Sequence, residues 1–215
     1  MEIKFDILKP FGPRISQVQL PEDILEKLIS ITDDLIVNED RKSNGDSLVG
    51  QIKEEIKISE ELLVENDLYN FFMSHLKAYV EYCLVETKGH NKDTHDVQVG
   101  MTSMWFNEMQ PKGEYNPVHL HGECTVSSTL YLKIPSNRPK RNIKNKEDLD
   151  GVIEFIDRSV SFDSLQRPTG RIEPKEGLML IWPSNLLHTV YPFLGDEVRR
   201  SIAWNGAYRI INKSN

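Results

Sequence analysis

Cysteine is scarce in this chain: Cys83 and Cys124 are the only two in 215 residues. One pair makes no disulfide framework, and neither cysteine has the spacing of a structural zinc site. A reducing compartment, the cytoplasm, is the simplest expectation. No apolar run approaches the ~20 residues that a membrane-spanning helix needs. The opening MEIKFDILKP carries no basic stretch followed by an apolar one, so no secretory signal is expected. Positive charge is also in deficit, with 26 Lys and Arg against 33 Asp and Glu, a formal net charge of −7. That argues against a broad phosphate-binding surface and so against nucleic acid as a partner. The one basic run, Arg138–Lys146, has no interleaved aromatics and reads as a solvated loop. Internal repeats and low-complexity segments are absent.

What remains is an ordinary globular composition, 39% hydrophobic and 27% charged. At this length one domain is expected, burying roughly two-thirds of its unfolded surface. Residues 3–20 alternate loosely (Ile3, Phe5, Ile7, then Ile15, Val18, Leu20) and read as strands broken at Pro10–Pro13. Pro21 then opens a helix as its first residue, with Ile24, Leu28, Ile31 and Leu35 at helical spacing. Asn38–Ser47 is a polar loop with a turn at Asn44-Gly45. A second helical stretch covers about 59–86, broken near Asn66-Asp67 and stopped at Gly89. After about residue 95 short strand-like runs alternate with turns: Val97–Met109, Val118–His121, Thr125–Ile134, Val152–Ile156, Leu178–Trp182 and Arg199–Ile211. Ser136–Gly151 and Ser159–Gly170 are polar excursions between them. Such punctuation suggests a sandwich or jelly roll. The expectation is therefore an α+β chain, residues 1–95 mainly helical support and 96–215 a double-stranded β-helix. The helices should pack outside it and carry no catalytic residue, with His75 away from any metal. Their mixed-charge polar faces leave dimerisation or substrate docking as a further use, so a homodimer stays open.

Chemistry concentrates in GEYNPVHLHGECTVSSTLYLKIP, Gly113–Pro135. On a strand, residues i and i+2 face the same way. His119 and His121 would then stand side by side, with Glu123 continuing that face. His188, 67 residues further on in IWPSNLLHTV, offers a ligand from a distant strand. Ligands from one strand plus one from another, with open positions left over, make a facial iron(II) site. Two sets stay open: His121 and His188 with Glu123, or His119, His121 and His188. The difference matters, because a carboxylate removes one unit of metal charge and three neutral imidazoles remove none. In VRRSIAWN, Arg199 and Ser201 share a strand face and Arg200 takes the other. A buried arginine must be paired, and a bidentate carboxylate clamp is its natural use near a metal. Parity with Ser201 points to Arg199 as the inward one.

Together these residues resemble the 2-oxoglutarate- and iron(II)-dependent dioxygenases. The likeness rests on Gly113-x-Tyr115 leading into His119-x-His121, the Thr129–Leu132 strand, His188, and Arg199-x-Ser201. Within that superfamily the chain is most similar to small 2OG-Fe(II) oxygenases found in bacteria and marine phages. Those carry a His-x-His, a Ser-Gly-Val-Tyr-Tyr-like strand, a Gly-x-hydrophobic-x-Phe-Pro-Ser…His-x-Val run and an Arg-x-Ser-Ile-Ala-Phe-Asn ending. Here these are His119–His121, Ser127–Leu132, Gly177–Val190 and Arg199–Asn205, and Leu48–Ile52 also looks like a segment of that group. The resemblance implies iron(II) held in a double-stranded β-helix, in the cytoplasm of a bacterium or of an infected host cell. It implies 2-oxoglutarate as co-substrate, its distal carboxylate held by Arg199, Ser201 and Tyr131. It favours His119 over Glu123 as third ligand, although His121 then stands where the superfamily usually has aspartate. A small-molecule or peptide substrate is expected.

Two other readings compete. A cupin-type metalloenzyme fits Gly113-x5-His119-x-His121, but its glutamate is expected near 125 or 126, where Thr125 and Val126 stand, and it leaves Arg199-x-Ser201 unexplained. A non-catalytic ligand-binding jelly roll, or a phage structural protein, would leave the histidines as surface residues.

Overall fold

Pro21 cannot donate a backbone hydrogen bond, and its φ of −57° leads the chain straight into a sixteen-residue helix. The computed structural model describes residues 6–8, 12–91, 93–136, 139, 141, 144, 146–159 and 167–213. In order they form β1 (Asp6–Leu8), β2 (Ile15–Gln19), α1 (Glu22–Val37), β3 (Glu54–Lys57), α2 (Glu60–Glu65) and α3 (Tyr69–Lys88). Then follow β4 (His95–Met109), β5 (Asn116–His119), β6 (Val126–Lys133), β7 (Ile153–Ile156) and β8 (Thr169–Ile172), and finally β9 (Leu178–Pro183), β10 (Leu187–Val190) and β11 (Arg199–Asn212).

Two antiparallel sheets face each other, the double-stranded β-helix expected. The larger runs β1-β2-β9-β6-β11-β4-β3 and the smaller β5-β10-β7-β8. Strand alternation gives the larger sheet two buried faces and the molecule two cores. On the outer face Phe106, Ile202 and Trp204 pack against Leu28 of α1 and Phe72 and Leu76 of α3. On the inner face Tyr131, Leu180 and Trp182 meet Ile153 and Phe155 of the smaller sheet. The helices thus cover the outside of the β-helix, and His75 lies buried on α3, its Nδ1 2.8 Å from the Phe71 carbonyl.

Several boundaries differ from the sequence reading. Pro21 is the N-cap of α1 rather than its first residue. Asp67, at φ +59°, breaks the second helical stretch, and Gly89, also at φ +59°, stops it. The strand expected over Val118–His121 ends at His119. β3 and β8 escape a reading of the sequence: both are four-residue edge strands with a single apolar residue each, Ile56 and Ile172, and so no alternation to read. Because β1, β2 and β3 join the larger sheet, residue 95 does not divide support from core. The alternation at Ile3 and Phe5, the break at Pro10 and most of the basic run lie outside the described residues.

Candidate metal and co-substrate site

His119 of β5 and His188 of β10 are direct cross-strand partners, which sets their rings 4.3 Å apart. His121 lies two residues past β5, so strand parity does not place it. The end of β9 does. The His121 N–H donates to the Ser184 carbonyl at 3.0 Å, and the Ser184 N–H donates to the Thr125 carbonyl at 3.1 Å. The Ser184 hydroxyl donates to the Cys124 carbonyl at 2.7 Å. This staple stacks the His121 ring parallel to His188 at 5.2 Å. Ligand atoms of all three histidines come within 4.8 Å of one another.

The imidazoles are prepared as neutral donors. Nδ1 of His119 is 2.7 Å from the Pro117 carbonyl, and Nδ1 of His188 is 2.9 Å from that of Leu186. A carbonyl only accepts, so each Nδ1 carries the proton and each Nε2 keeps a free lone pair. Such outer hydrogen bonds orient metal-bound histidines. Burial pulls all three pKa values down, that of His121 to about 4 and that of His188 to about 3. Trp182 stands edge-on to His188 at 5.0 Å and Trp105 flanks His121 at 6.1 Å, walling the cluster. Three convergent neutral nitrogens suit a divalent transition metal such as iron(II).

Glu123 stands apart from this cluster. Its φ of +58° takes it out of extended geometry, and it is exposed at the rim. Two further steps along a strand would have kept it on the histidine face, but there is no strand there.

The histidines open onto a cavity of about 350 Å³ between the sheets. Across it, Arg199 and Ser201 project from β11. Arg199 is 2% exposed. No carboxylate among the described residues pairs with it. Its Nη1 reaches only the Met109 sulfur at 2.9 Å, its Nε has no partner, and its guanidinium lies 5.0 Å over the Tyr131 ring. The buried Tyr131 hydroxyl also lacks a well-formed hydrogen bond. Burial pushes the Arg199 pKa down and that of Tyr131 up. Leaving a buried guanidinium unpaired is costly, so this is a place made for an anion, and a carboxylate fits the fork. Ser201 is the register partner of Tyr131, across a one-residue shift in pairing between Arg200 and Ser201. Arg200, one residue from Arg199, turns to α1 and is fully matched there.

Other residues line the cavity without standing out in the sequence. Asn107 and Trp105 of β4 and Glu55 of β3 also face it. The first two could have been found by extending strand parity back from Met109. Glu55, in KEEIKI, reads as a surface charge and carries no signal.

Residues 103–205 match the family model described as "Putative 2OG-Fe(II) oxygenase". That match spans just under half of the chain. No curated protein matches the chain in sequence. Solved structures share the core's fold at low identity. A Pseudomonas putida prolyl-4-hydroxylase is 16% identical with a TM-score of 0.51, covering 90% of this chain and 92% of its own. A Trichoplax adhaerens prolyl hydroxylase, solved with a hypoxia inducible factor peptide fragment, is 14% identical with a TM-score of 0.56, covering 89% and 82%. HygX from Streptomyces hygroscopicus, solved with nickel, 2-oxoglutarate and hygromycin B, is 11% identical with a TM-score of 0.52, covering 90% and 82%. The chain thus has the jelly-roll fold of these structures, and residues 103–205 are similar to the 2OG-Fe(II) oxygenases in sequence. No helix among the described residues is long and apolar enough to cross a membrane.

Proposed function

We propose that the protein is a 2-oxoglutarate- and iron(II)-dependent oxygenase that hydroxylates a C–H bond of a small-molecule or peptide substrate, with His119, His121 and His188 as its iron ligands. The observation that carries the reading is Arg199: a buried guanidinium without a carboxylate partner, facing the cavity onto which three imidazoles converge. Arg199 would hold the distal carboxylate of 2-oxoglutarate, with Ser201 and the Tyr131 hydroxyl as added donors.

When bound, iron and 2-oxoglutarate supply the power to split dioxygen between substrate and co-substrate: R–H, O₂ and 2-oxoglutarate give R–OH, succinate and CO₂. The chain's own residues do the rest. Backbone carbonyls of Pro117 and Leu186 fix the tautomers of His119 and His188, so that Nε2 faces the metal. Trp105 and Trp182 keep bulk water from the imidazoles. Arg199 orients the co-substrate and neutralises one of its carboxylates. Three neutral ligands leave the full metal charge for binding anionic groups.

The cupin reading has no use for a buried, unpaired Arg199, and a ligand-binding jelly roll with surface histidines sits badly with a His188 only 3% exposed. Cys83 and Cys124 form no disulfide among the described residues, which favours a reducing cytoplasm as the working compartment. The test is turnover: iron(II)-loaded protein with 2-oxoglutarate and oxygen should release succinate and CO₂ in equal amounts. No succinate with iron and oxygen both present would reject the oxygenase reading.

A further inference from the structure

Glu55 is 3% exposed, yet no side-chain hydrogen bond or ion pair to its carboxylate is made among the described residues. It stands on the cavity wall. Its neighbour Glu114 is different: that carboxylate accepts from the backbone N–H groups of Lys53 at 3.2 Å and Gln110 at 2.7 Å. Glu114 holds a loop together, whereas Glu55 holds nothing.

Register places Glu55 with respect to the co-substrate residues. Glu55 is the cross-strand partner of Asn107, and Asn107 is the partner of Ser201. The three form one row across β3, β4 and β11, all lining the cavity. Strands lie about 4.8 Å apart, so Glu55 is roughly 10 Å from Ser201 along that row. That is too far for Glu55 to neutralise Arg199 or to share its carboxylate ligand. Between them, the Asn107 side-chain oxygen is buried and unpaired. The loop over this corner is shaped to the acid. A Cβ on Gly50 would come within 2.6 Å of a Glu55 oxygen and 2.7 Å of the Asn116 oxygen. Only glycine lets the backbone close so near these acceptors.

The geometry points to a second subsite in the same cavity: Glu55, with Asn107 beside it, receives a cationic nitrogen of the substrate, an amine or guanidine. It rests on the oxygenase reading only in taking Arg199 for the co-substrate. Glu55 mirrors Arg199, since a buried charge without a partner calls for the opposite charge from a ligand. A carboxylate and an arginine at opposite ends of one cavity divide it into a cation-accepting end and an anion-accepting end. Burial first, and Glu114 second, raise the Glu55 pKa to about 7, so a bound cation would draw off its proton.

The probes are butylammonium and butylguanidinium, with n-pentanol as a neutral counterpart, all small enough for the cavity. Binding is followed by ligand-observed NMR on wild type and Glu55→Gln, each loaded with a redox-inert divalent metal and 2-oxoglutarate. Calorimetric 2-oxoglutarate affinity is measured on the same samples. At least one cation should bind wild type and lose tenfold or more in Glu55→Gln, with pentanol unchanged and 2-oxoglutarate affinity equal in both. Cations that bind both proteins alike, that bind neither, or that bind no better than pentanol overturn the subsite. Failure of 2-oxoglutarate to bind either protein would instead strike the oxygenase reading, and the cation comparison, repeated without co-substrate, would still decide Glu55.

Discussion

Arg199 and Arg200 are adjacent on β11 and face opposite sides of the sheet. Arg200 is buried among partners: Nε donates to Glu108 at 2.7 Å, and Nη1 donates to Asp33 of α1 at 2.5 Å and to the Thr32 hydroxyl at 3.1 Å. Arg199 is equally buried and has no acidic partner among the described residues. One arginine locks the helix to the sheet; the other waits for a ligand. Their substitutions should therefore separate. Arg199→Ala should weaken 2-oxoglutarate binding about 10–150-fold, the worth of a charge-assisted pair, at little cost in stability. Arg200→Ala should leave binding nearly intact and cost about 3 kcal/mol, because it strands the partly buried Glu108 carboxylate and the Thr32 hydroxyl. Calorimetry and denaturant unfolding on both variants would check this, and a reversed pattern would exchange the two roles.

The proposed metal ligands yield a second contrast. His188→Ala and His119→Ala should each lower iron affinity by orders of magnitude while the fold persists. Glu123→Ala should leave iron content unchanged. Glu123→Gly should also bind iron normally and be more stable by ~1 kcal/mol, because glycine tolerates the left-handed backbone at φ +58°. Metal analysis of the four purified variants, with melting curves, tests the assignment. Loss of iron in Glu123→Ala would restore a carboxylate to the ligand set.

Glu55 sets a pH dependence of stability. Its folded pKa of about 7 lies above the ordinary value of 4.5. The folded state therefore holds a proton that the unfolded chain releases between those values. The stability linked to that proton is present below about pH 4.5 and is lost as pH rises through about 7, amounting to at most roughly 3 kcal/mol. Glu55→Gln removes the titration. It should be more stable than wild type at pH 8, with the gap widening steadily from pH 5. Urea unfolding across that range is the measurement, and a gap that stays constant with pH would contradict a raised Glu55 pKa.

The helical layer should be separable from the chemistry. Phe72 is fully buried against Trp204, with ring centroids 6.1 Å apart in edge-on geometry. Phe72→Ala should cost about 3–5 kcal/mol. Below its lowered melting temperature, iron stoichiometry and 2-oxoglutarate affinity should match wild type. A change in either would show that α3 shapes the cavity through the sheet.

Much of the site is legible in the sequence because strand parity is a strict rule. Parity links Arg199 to Ser201, and the structure sets both on the cavity wall with Arg200 on the helical side. The same rule misleads at His121 and Glu123, where the chain leaves the strand after His119. His121 still joins His119 and His188, through the Ser184 staple, a contact 63 residues distant that no local pattern encodes. Glu55 is illegible for another reason. A glutamate in a charged run reads as solvated, and only the pairing of β3 with β4 and the loop at Gly50 bury it.

The central proposal is that three histidines and Arg199, which line one cavity, act on one co-substrate. Anaerobic titration of 2-oxoglutarate into the iron(II)-loaded protein tests that most directly, run on wild type, Arg199→Ala and metal-free protein. Saturable one-to-one binding that weakens at least tenfold when either the iron or Arg199 is removed is the predicted result. Binding indifferent to both, or absent from the iron-loaded wild type, would contradict it.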